Sequence, residues 1–478
     1  MVAIGMILPL RQFRGKLFLL CAGMVLFARP VYCLDLAESM QLAKENDPRW
    51  SRLEATYMAS GEKASQVRGA TRPELGFRAG YALQNYKSET AGIRVGDSPL
   101  AQTIVEFFFP DLGKPVNETF TSQSWGVFAR YGLWNRDVWQ RAKGAKFFES
   151  QAEAEYRAGK QSLLMEVAQT YFSALSALID QNFATAELRA SGAQREQVRH
   201  RYEQGLVKDT DVYAMDAAFD QSGSNLRLAK GKLNIARGRL GALVGNEVSK
   251  ISVMADDVQI DEVEPSDVRH WTKMAEEMSP ALQARLFAAN AARKEYQARK
   301  AAHHPKVDLV ARYDDIVNKG GSGFTPAAQQ ASVGVEVSMP IYSGGRIAAA
   351  AREAAHRWTE AKDLAREERI RVRREAQEQF ETVNLSAQSV MFRKKVITTR
   401  TKAVDQAESD FKEGLGSFSQ YVEAIRMSVA AQREYEAARI DYILELLRFR
   451  MAVGTLQEQD IEDVDRWLVD TTGGNRAD

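Results

Sequence analysis

Residues Gly345–Gly454 read GRIAAAAREAAHRWTEAKDLAREERIRVRREAQEQFETVNLSAQSVMFRKKVITTRTKAVDQAESDFKEGLGSFSQYVEAIRMSVAAQREYEAARIDYILELLRFRMAVG. The stretch holds no proline and only two internal glycines, Gly414 and Gly416, which sit together. Before them Ala376, Val383, Val390, Ile397, Val404 and Phe411 recur every seven residues, the apolar seam of a coiled coil. After them Tyr421, Tyr435, Tyr442 and Phe449 keep the period, with alanines at 424, 431, 438 and 452. The pattern predicts a helix of 68 residues from Arg346 to Glu413, roughly 100 Å long at about 1.5 Å per residue. Globular helices average about 11–12 residues, so this rod belongs to a special architecture.

The same plan occurs earlier in the chain. Asp47-Pro48 and Arg72-Pro73 reappear as Ser279-Pro280 and His304-Pro305, an offset of 232 in both cases. Ser124-Trp125-Gly126-Val127 matches Ser332-Val333-Gly334-Val335 at 208, and Tyr202-x-x-Gly205-Leu206 matches Phe411-x-x-Gly414-Leu415 at 209. Two copies of one unit of about 200 residues account for these offsets. We assign residues 1–33 to a signal peptide, 34–247 to the first repeat and 248–478 to the second with its tail. The fall in offset locates an excess of 24 residues in the first copy between Pro73 and Gly126, read as an enlarged loop over Asn85–Gln123.

Each copy opens with an amphipathic helix (Leu36–Ala70; Val268–Ala302), followed by two strands, a rod helix and a return helix. The strands alternate with period two. Leu75, Phe77, Ala79, Tyr81 and Leu83 share a face, as do Trp125, Val127, Ala129, Tyr131 and Leu133. In the second copy Val307, Leu309, Ala311 and Tyr313 share one, and Val333, Val335, Val337, Met339 and Ile341 another. Runs of about 9–11 residues suit tilted transmembrane strands. Alternation serves equally for a soluble sheet with one face on a core. If these are membrane strands, four cannot close a barrel, so several chains must complete one.

The first return helix has the sharpest seam, stepping 3-4-3-4 from Val212, Met215 and Phe219 to Leu240 and Leu243. Gly205 and Gly414 are expected to close the rods as C′ glycines, with Thr210 and Ser419 as N-caps of the return helices. Asn246–Pro265 and the tail after Gly454 lose the period and are expected to form a band of small elements outside the rods.

Charge and chemistry exclude several classes. Lys+Arg 64 against Asp+Glu 63 leaves no basic excess, hence no bulk attraction for nucleic acid. Arg11, Arg14 and Lys16 precede the apolar run Leu17–Phe27, the pattern of an export signal with cleavage expected near Leu34. The two cysteines, Cys21 and Cys33, would leave with it, and Tyr32 before Cys33 does not fit a lipoprotein site. No later apolar run of about 18 residues is read, which leaves a soluble protein or a β-barrel. Among five histidines only His303-His304 adjoin, and adjacent side chains diverge, so no metal site is assigned. No catalytic cluster, enzyme activity or cofactor is read.

Signal, paired strands, paired rods and duplication together resemble the TolC family of trimeric outer-membrane efflux and type I secretion channels. The likeness runs from Leu34 to about Leu468. It is most specific at Tyr202–Val212, at Met339-Pro-Ile-Tyr-Ser-Gly-Gly-Arg346, and at Gly454-Thr-Leu-Gln-Glu-Gln-Asp-Ile461. The resemblance implies an α+β membrane protein with four strands per chain in a trimeric twelve-stranded barrel, continued by an antiparallel helical tunnel through the periplasm. It implies a homotrimer in outer-membrane lipid, partnered by a periplasmic adaptor and an inner-membrane ABC transporter. The missing lipobox and the Gly454–Ile461 signature resemble the branch used in type I protein secretion. A drug-efflux outlet is the alternative, and a soluble periplasmic coiled-coil scaffold a third reading.

The resemblance also places the periplasmic entrance at Gly205, Leu206, Asp209, Asp211, Gly414, Leu415, Gln420 and Glu423. The family's second-copy tip carries two aspartates, matched here by Gln420 and Glu423. Its closing hydrogen bonds use a tyrosine and an arginine, where this chain has Phe411 and Gly416. Neither of these side chains can donate a hydrogen bond. A plainer reading of Asp211 and Glu423 is that of acids favoured at helix N-termini by the dipole.

Overall fold

A computed structural model describes residues 34–88, 99–108, 116–255, 258–320, 327–413 and 415–469. The expected signal peptide, Gly414 and parts of the enlarged loop lie outside these residues. The first half runs α1 (Leu36–Asn46), α2 (Pro48–Gly69), β1 (Glu74–Ser88), α3 (Pro99–Phe108), β2 (Val116–Trp134), α4 (Arg136–Glu203) and α5 (Asp209–Val244). After β3 (Val253–Met254), the order returns as α6 (Val268–Met278), α7 (Pro280–Ala301), β4 (Lys306–Lys319), β5 (Ala327–Ser338), α8 (Arg346–Lys412) and α9 (Phe418–Val453). A short α10 (Glu458–Asp465) and β6 (Leu468–Val469) are the last of the described elements.

The rods span 68 and 67 residues and both return helices 36. Their seams do the packing. Ser222, Leu226, Ala229, Leu233, Ala236, Leu240 and Leu243 are buried along α5, and Ala376, Val383 and Val390 along α8. Toward the turns the same seams open: Val212, Met215, Phe219, Ile397, Val404 and Phe411 are only half-buried. Along the rods, α4 packs against α2, α5 and α7, and α8 against α7 and α9.

The opening helices depart from expectation, because each is broken at its proline. Pro48 and Pro280 sit at N1 of α2 and α7, and the preceding Asp47 and Ser279 leave the helical region with ψ of 114° and 116°. Proline excludes the preceding residue from the α conformation and offers no N–H to the ladder. Asp47 and Ser279 then cap the new helices through their side chains, onto the N–H groups of Arg49 and Leu282.

The expected band of small elements is present, and it holds the main core. Val253–Met254 pairs antiparallel with Leu468–Val469, and Leu34 bridges to Ile251. Under them Tyr171, Phe172, Leu175, Leu240, Ile443, Leu447 and Ile461 are fully buried in one cluster fed by both halves. The half-buried 18-residue window of mean hydropathy 1.3 in α4, an apolar run not read from the sequence, belongs to a helix that crosses this core. Arg439 is buried here too, paired with Glu436 at 3.0 Å and donating to the carbonyl of Ala255, so it ties the inter-repeat segment to α9.

Polar clamps join the two ends of the chain across this band. The Asp465 carboxylate accepts from the N–H groups of Leu36 and Ala37 at 2.9 and 3.3 Å. Glu458 on α10 bonds Lys44 of α1 and, at 2.6 Å, Lys160 of α4. Burial works to raise the Glu458 pKa, but hydrogen bonds and attraction from both lysines outweigh it and hold the carboxyl below its ordinary range. A depressed folded pKa contributes stability that is present above the unfolded value and lost as pH falls through the folded one. Glu458→Gln is therefore expected to lower the melting temperature by about 1 °C at pH 7, the shift that about 1 kcal/mol for a partly exposed clamp produces in a chain of this length. The gap should close in acid, on thermal scans across pH. A gap independent of pH would assign the loss to packing.

Candidate functional site

The four long strands form one antiparallel sheet in the order β1-β2-β4-β5, leaving β1 and β5 as free edges. Registers place Phe77, Val127, Tyr313 and Ala331 in one row, and Leu75, Ala129, Ala311 and Val333 in the next. Directly opposed residues share a face, so one face of the sheet is apolar across all four strands. Among the described residues no layer covers it: Phe77, Tyr81, Trp125, Val127, Val333, Val335 and Val337 are all exposed.

The other face is polar. Arg78, Gly126, Asp314 and Gln330 form one of its rows, and Gly76, Phe128, Arg312 and Ser332 another. The Phe128 ring lies over Gly76, where a Cβ would stand 2.3 Å from Phe128 Cζ and would push the ring aside. A soluble sheet would bury its apolar face and expose its polar one. Here the apolar face is uncovered, as is the polar one along β5, which is exposed at every position.

The strands run 15, 19, 14 and 12 residues, longer than the 9–11 expected. Backbone pairing continues past the apolar band, where β1 and β2 form a polar ribbon from Leu83 opposite Thr121 to Ser88 opposite Val116. Both ends of the expected loop are thus strand, and α3 lies between them with Leu100, Ile104, Phe107 and Phe108 exposed.

At the other end of the rods lie the hairpin turns. Gly205 takes φ +71°, the left-handed region, while the N–H groups of Gly205 and Leu206 donate to Tyr202 and Arg201 carbonyls and close α4. In the second turn Leu415 and Gly416 both donate to the Asp410 carbonyl. Leu206 and Leu415 stand exposed at matched places on the two apices.

The caps are not those expected. Ser417, rather than Ser419, caps α9 in a reciprocal box, its Oγ accepting from Gln420 N–H and Gln420 Oε1 accepting from Ser417 N–H at 2.9 Å. Lys208, rather than Thr210, starts α5, and the Asp211 carboxylate accepts from its N–H at 3.2 Å. An acceptor at the third helical position suits each box, and Asp211 and Gln420 occupy those positions. Gln420 and Asp211 therefore have structural work at helix starts. Asp209, Asp211 and Glu423 all remain exposed, with Arg426 3.9 Å from Glu423.

Sequence reasoning missed the contacts that hold the tips. The Tyr202 hydroxyl bonds the Asp209 carboxylate, and that bond pushes the phenol pKa up. Asp216 pairs with Arg199 at 2.9 Å and lies 3.9 Å from Arg195, whose guanidinium covers Phe219. In the second hairpin Phe411 stacks on Tyr421 at 6.1 Å, and Arg201 of the first hairpin lies 4.7 Å over the Phe411 ring. Phe411 thus joins the hairpins through its face. The offset of 209 that pairs Tyr202 with Phe411 in the sequence was the available signal. Among the described residues no group of three or more His, Cys, Asp or Glu side chains is placed to hold a metal ion.

The family described as "Outer membrane efflux protein" matches residues 39–246 and 271–455. Outer membrane protein TolC of Vibrio cholerae is 25% identical over 441 residues, covering 92% of this chain and 94% of that protein. The alkaline protease secretion protein AprF of Pseudomonas aeruginosa is 23% identical, over 92% and 89%. Among solved structures, the outer membrane protein VceC of Vibrio cholerae superposes with a TM-score of 0.71 at 17% identity, over 88% of this chain and 96% of that one.

Proposed function

This chain belongs to the outer membrane efflux protein family, and from that premise we propose that it is the outer-membrane exit channel of a type I protein secretion system. It is an outer-membrane channel of TolC type, and its relatives are channel proteins rather than enzymes. In the proposal three chains supply four strands each to one twelve-stranded barrel, whose lumen is lined by the polar face. The rods continue it as a helical tunnel through the periplasm, with the two hairpin turns of each chain at its entrance. The repeats 34–247 and 248–478 each contribute two strands and one rod pair.

One observation carries this reading. Among the described residues, an apolar sheet face with no covering layer and two free edges stands at one end of helices about 100 Å long. Lipid accepts the face, but it does not accept the edges, so closure by further copies satisfies both. A soluble scaffold leaves face and edges unexplained.

An inner-membrane ABC transporter and a periplasmic adaptor are the partners proposed, with a polypeptide as cargo. The relative named for alkaline protease secretion supports the protein-secretion branch. The family's own description supports drug efflux as the second reading. Deletion of the gene separates the two. Loss of a protein from the culture medium with unchanged susceptibility to dyes and detergents supports secretion. Sensitisation with an unchanged secretome contradicts it.

The entrance acids give a further expected outcome. Three copies of Asp211 and Glu423 near one axis would attract cations, so multivalent cations added from the tip side should block conductance. Asp211→Ala with Glu423→Ala is expected to weaken that block about tenfold in planar bilayers while trimers still assemble. An undiminished block would leave both acids as solvated helix starts, which the Asp211 capping bond already accounts for in part.

A further inference from the structure

All four strand-to-helix junctions fall at one end of the sheet, where Trp134 lies opposite Val307 and Lys306 opposite Ser338. The helices that meet the strands there lie side by side in the strands' own order, α2, α4, α7 and α8. Positive charge is concentrated at these junctions. The stretches that run from each strand end into its helix, 64–74, 134–144, 296–306 and 338–348, hold nine Lys and Arg against two acids, Glu74 and Asp137. The whole chain has a formal net charge of only +1. The loops at the far end of the sheet, 88–116 and 319–327, hold three basic residues against four acidic ones. The excess therefore belongs to the rod end of the sheet.

Five of the nine, Arg72, Arg136, Lys143, Lys300 and Arg346, are exposed, and none of them is in an ion pair among the described residues. Arg68, Arg141 and Arg299 are held by Glu149, Asp137 and Glu295. Lys306 shares the polar row with Ser338. The five unpaired cations lie within nine residues of a strand end, no more than about 13 Å of helix. The headgroup layer on each side of a bilayer is about 5–8 Å deep, and long basic side chains reach toward it. Apolar anchors stand at the same end of the sheet. Ile341 and Tyr342, just after β5, are 95% and 88% exposed, and Trp134 at the end of β2 is 47% exposed. Aromatic rings followed by cations mark the boundary between hydrocarbon and water.

We infer that these five side chains form a basic collar that binds the anionic phospholipid headgroups of the leaflet facing the rods. The inference rests on the barrel reading, which puts the apolar sheet face in lipid and the rods in the periplasm. It adds the class of lipid that the junction takes. An anionic headgroup offers its phosphate to cations that have no protein partner, whereas a zwitterionic headgroup carries its own counter-charge. Attraction of this kind between exposed charges is screened by salt.

The test uses the full-length trimer, purified in an uncharged detergent. It should retain phosphatidylglycerol through gel filtration, and phosphatidylcholine at least about tenfold less at the same concentration. Raising the salt to about 1 M should remove that preference. Arg72→Gln, Arg136→Gln, Lys143→Gln, Lys300→Gln and Arg346→Gln combined should raise the half-saturating phosphatidylglycerol concentration at least about tenfold, while the trimer still forms and conducts. Lys306→Gln, in the polar row, should leave that concentration unchanged. Lys143→Gln with Lys300→Gln, expected to raise it about threefold, repeats the test should the combined variant fail to assemble. Equal retention of the two lipids by a trimer that conducts overturns the collar and leaves the barrel standing. So does a combined variant that keeps its lipid but changes ion selectivity, because its side chains then face the lumen. A chain that forms neither a trimer nor a conducting channel overturns the barrel reading, and the collar with it.

Discussion

Arginine at Val335 is expected to remove the protein from the outer membrane, and arginine at the adjacent Glu336 is not. Val335 lies in the apolar row with Tyr131 and Leu309, and Glu336 in the polar row with Gly132 and Asp308. With Val333 and Val337 on either side along the same face, Val335 sits within the apolar band. A cationic side chain facing lipid at mid-depth costs about 2–4 kcal/mol, and assembly would repeat that cost in three chains. Val335→Arg should abolish the heat-modifiable trimer in outer-membrane fractions. Glu336→Arg should leave it in place and shift the channel's ion selectivity toward anions. Equal tolerance of arginine at the two positions would refute the membrane assignment of this sheet.

Arg201→Ala is expected to make the channel leak. In the proposed channel the entrance widens only if hairpin tips separate, and Arg201 over Phe411 joins the two tips within a chain. An exposed cation–π interaction contributes about 0.5–1 kcal/mol. Removing it from all three chains of a trimer costs roughly 1.5–3 kcal/mol, or about ten- to a hundredfold in the open population. Single-channel recordings should show a matching rise in open time, and cells should become sensitive to large antibiotics. Arg201→Lys keeps the charge but not the flat guanidinium, so it should fall between wild type and alanine. Recordings of Arg201→Ala indistinguishable from wild type would show that closure rests elsewhere, on the half-buried seam ending at Phe411.

How much of this was legible in the sequence follows from what kind of interaction fixes each part. The rods and strands were readable because burial along one stripe imposes a period, and the Ala376–Val390 seam and the Val333–Val337 alternation carry it without interruption. The α8 boundaries agree with the reading to within one residue for the same reason. The breaks at Pro48 and Pro280 were present as letters but lost beneath a continuous amphipathic pattern; local sterics overrode periodicity. Strand lengths were underestimated because ladder hydrogen bonds persist where side chains turn polar, as at Asn85 and Thr119.

The tips were the least legible part. The exposed acids could be named from a resemblance, but Arg201 over Phe411 joins segments distant in sequence, and the Tyr202–Asp209 and Phe411–Tyr421 contacts cross turns where the period is lost. Arg439 was hidden for a related reason: a buried arginine looks like a surface one until its partners Glu436 and the Ala255 carbonyl are in view.

The most direct test of the account is the conductance of the purified full-length protein in a planar lipid bilayer. The account predicts discrete, cation-selective steps carried by a trimer, blocked by multivalent cations from the side of the helical tips. A monomer that stays in solution and leaves the bilayer electrically silent would contradict it.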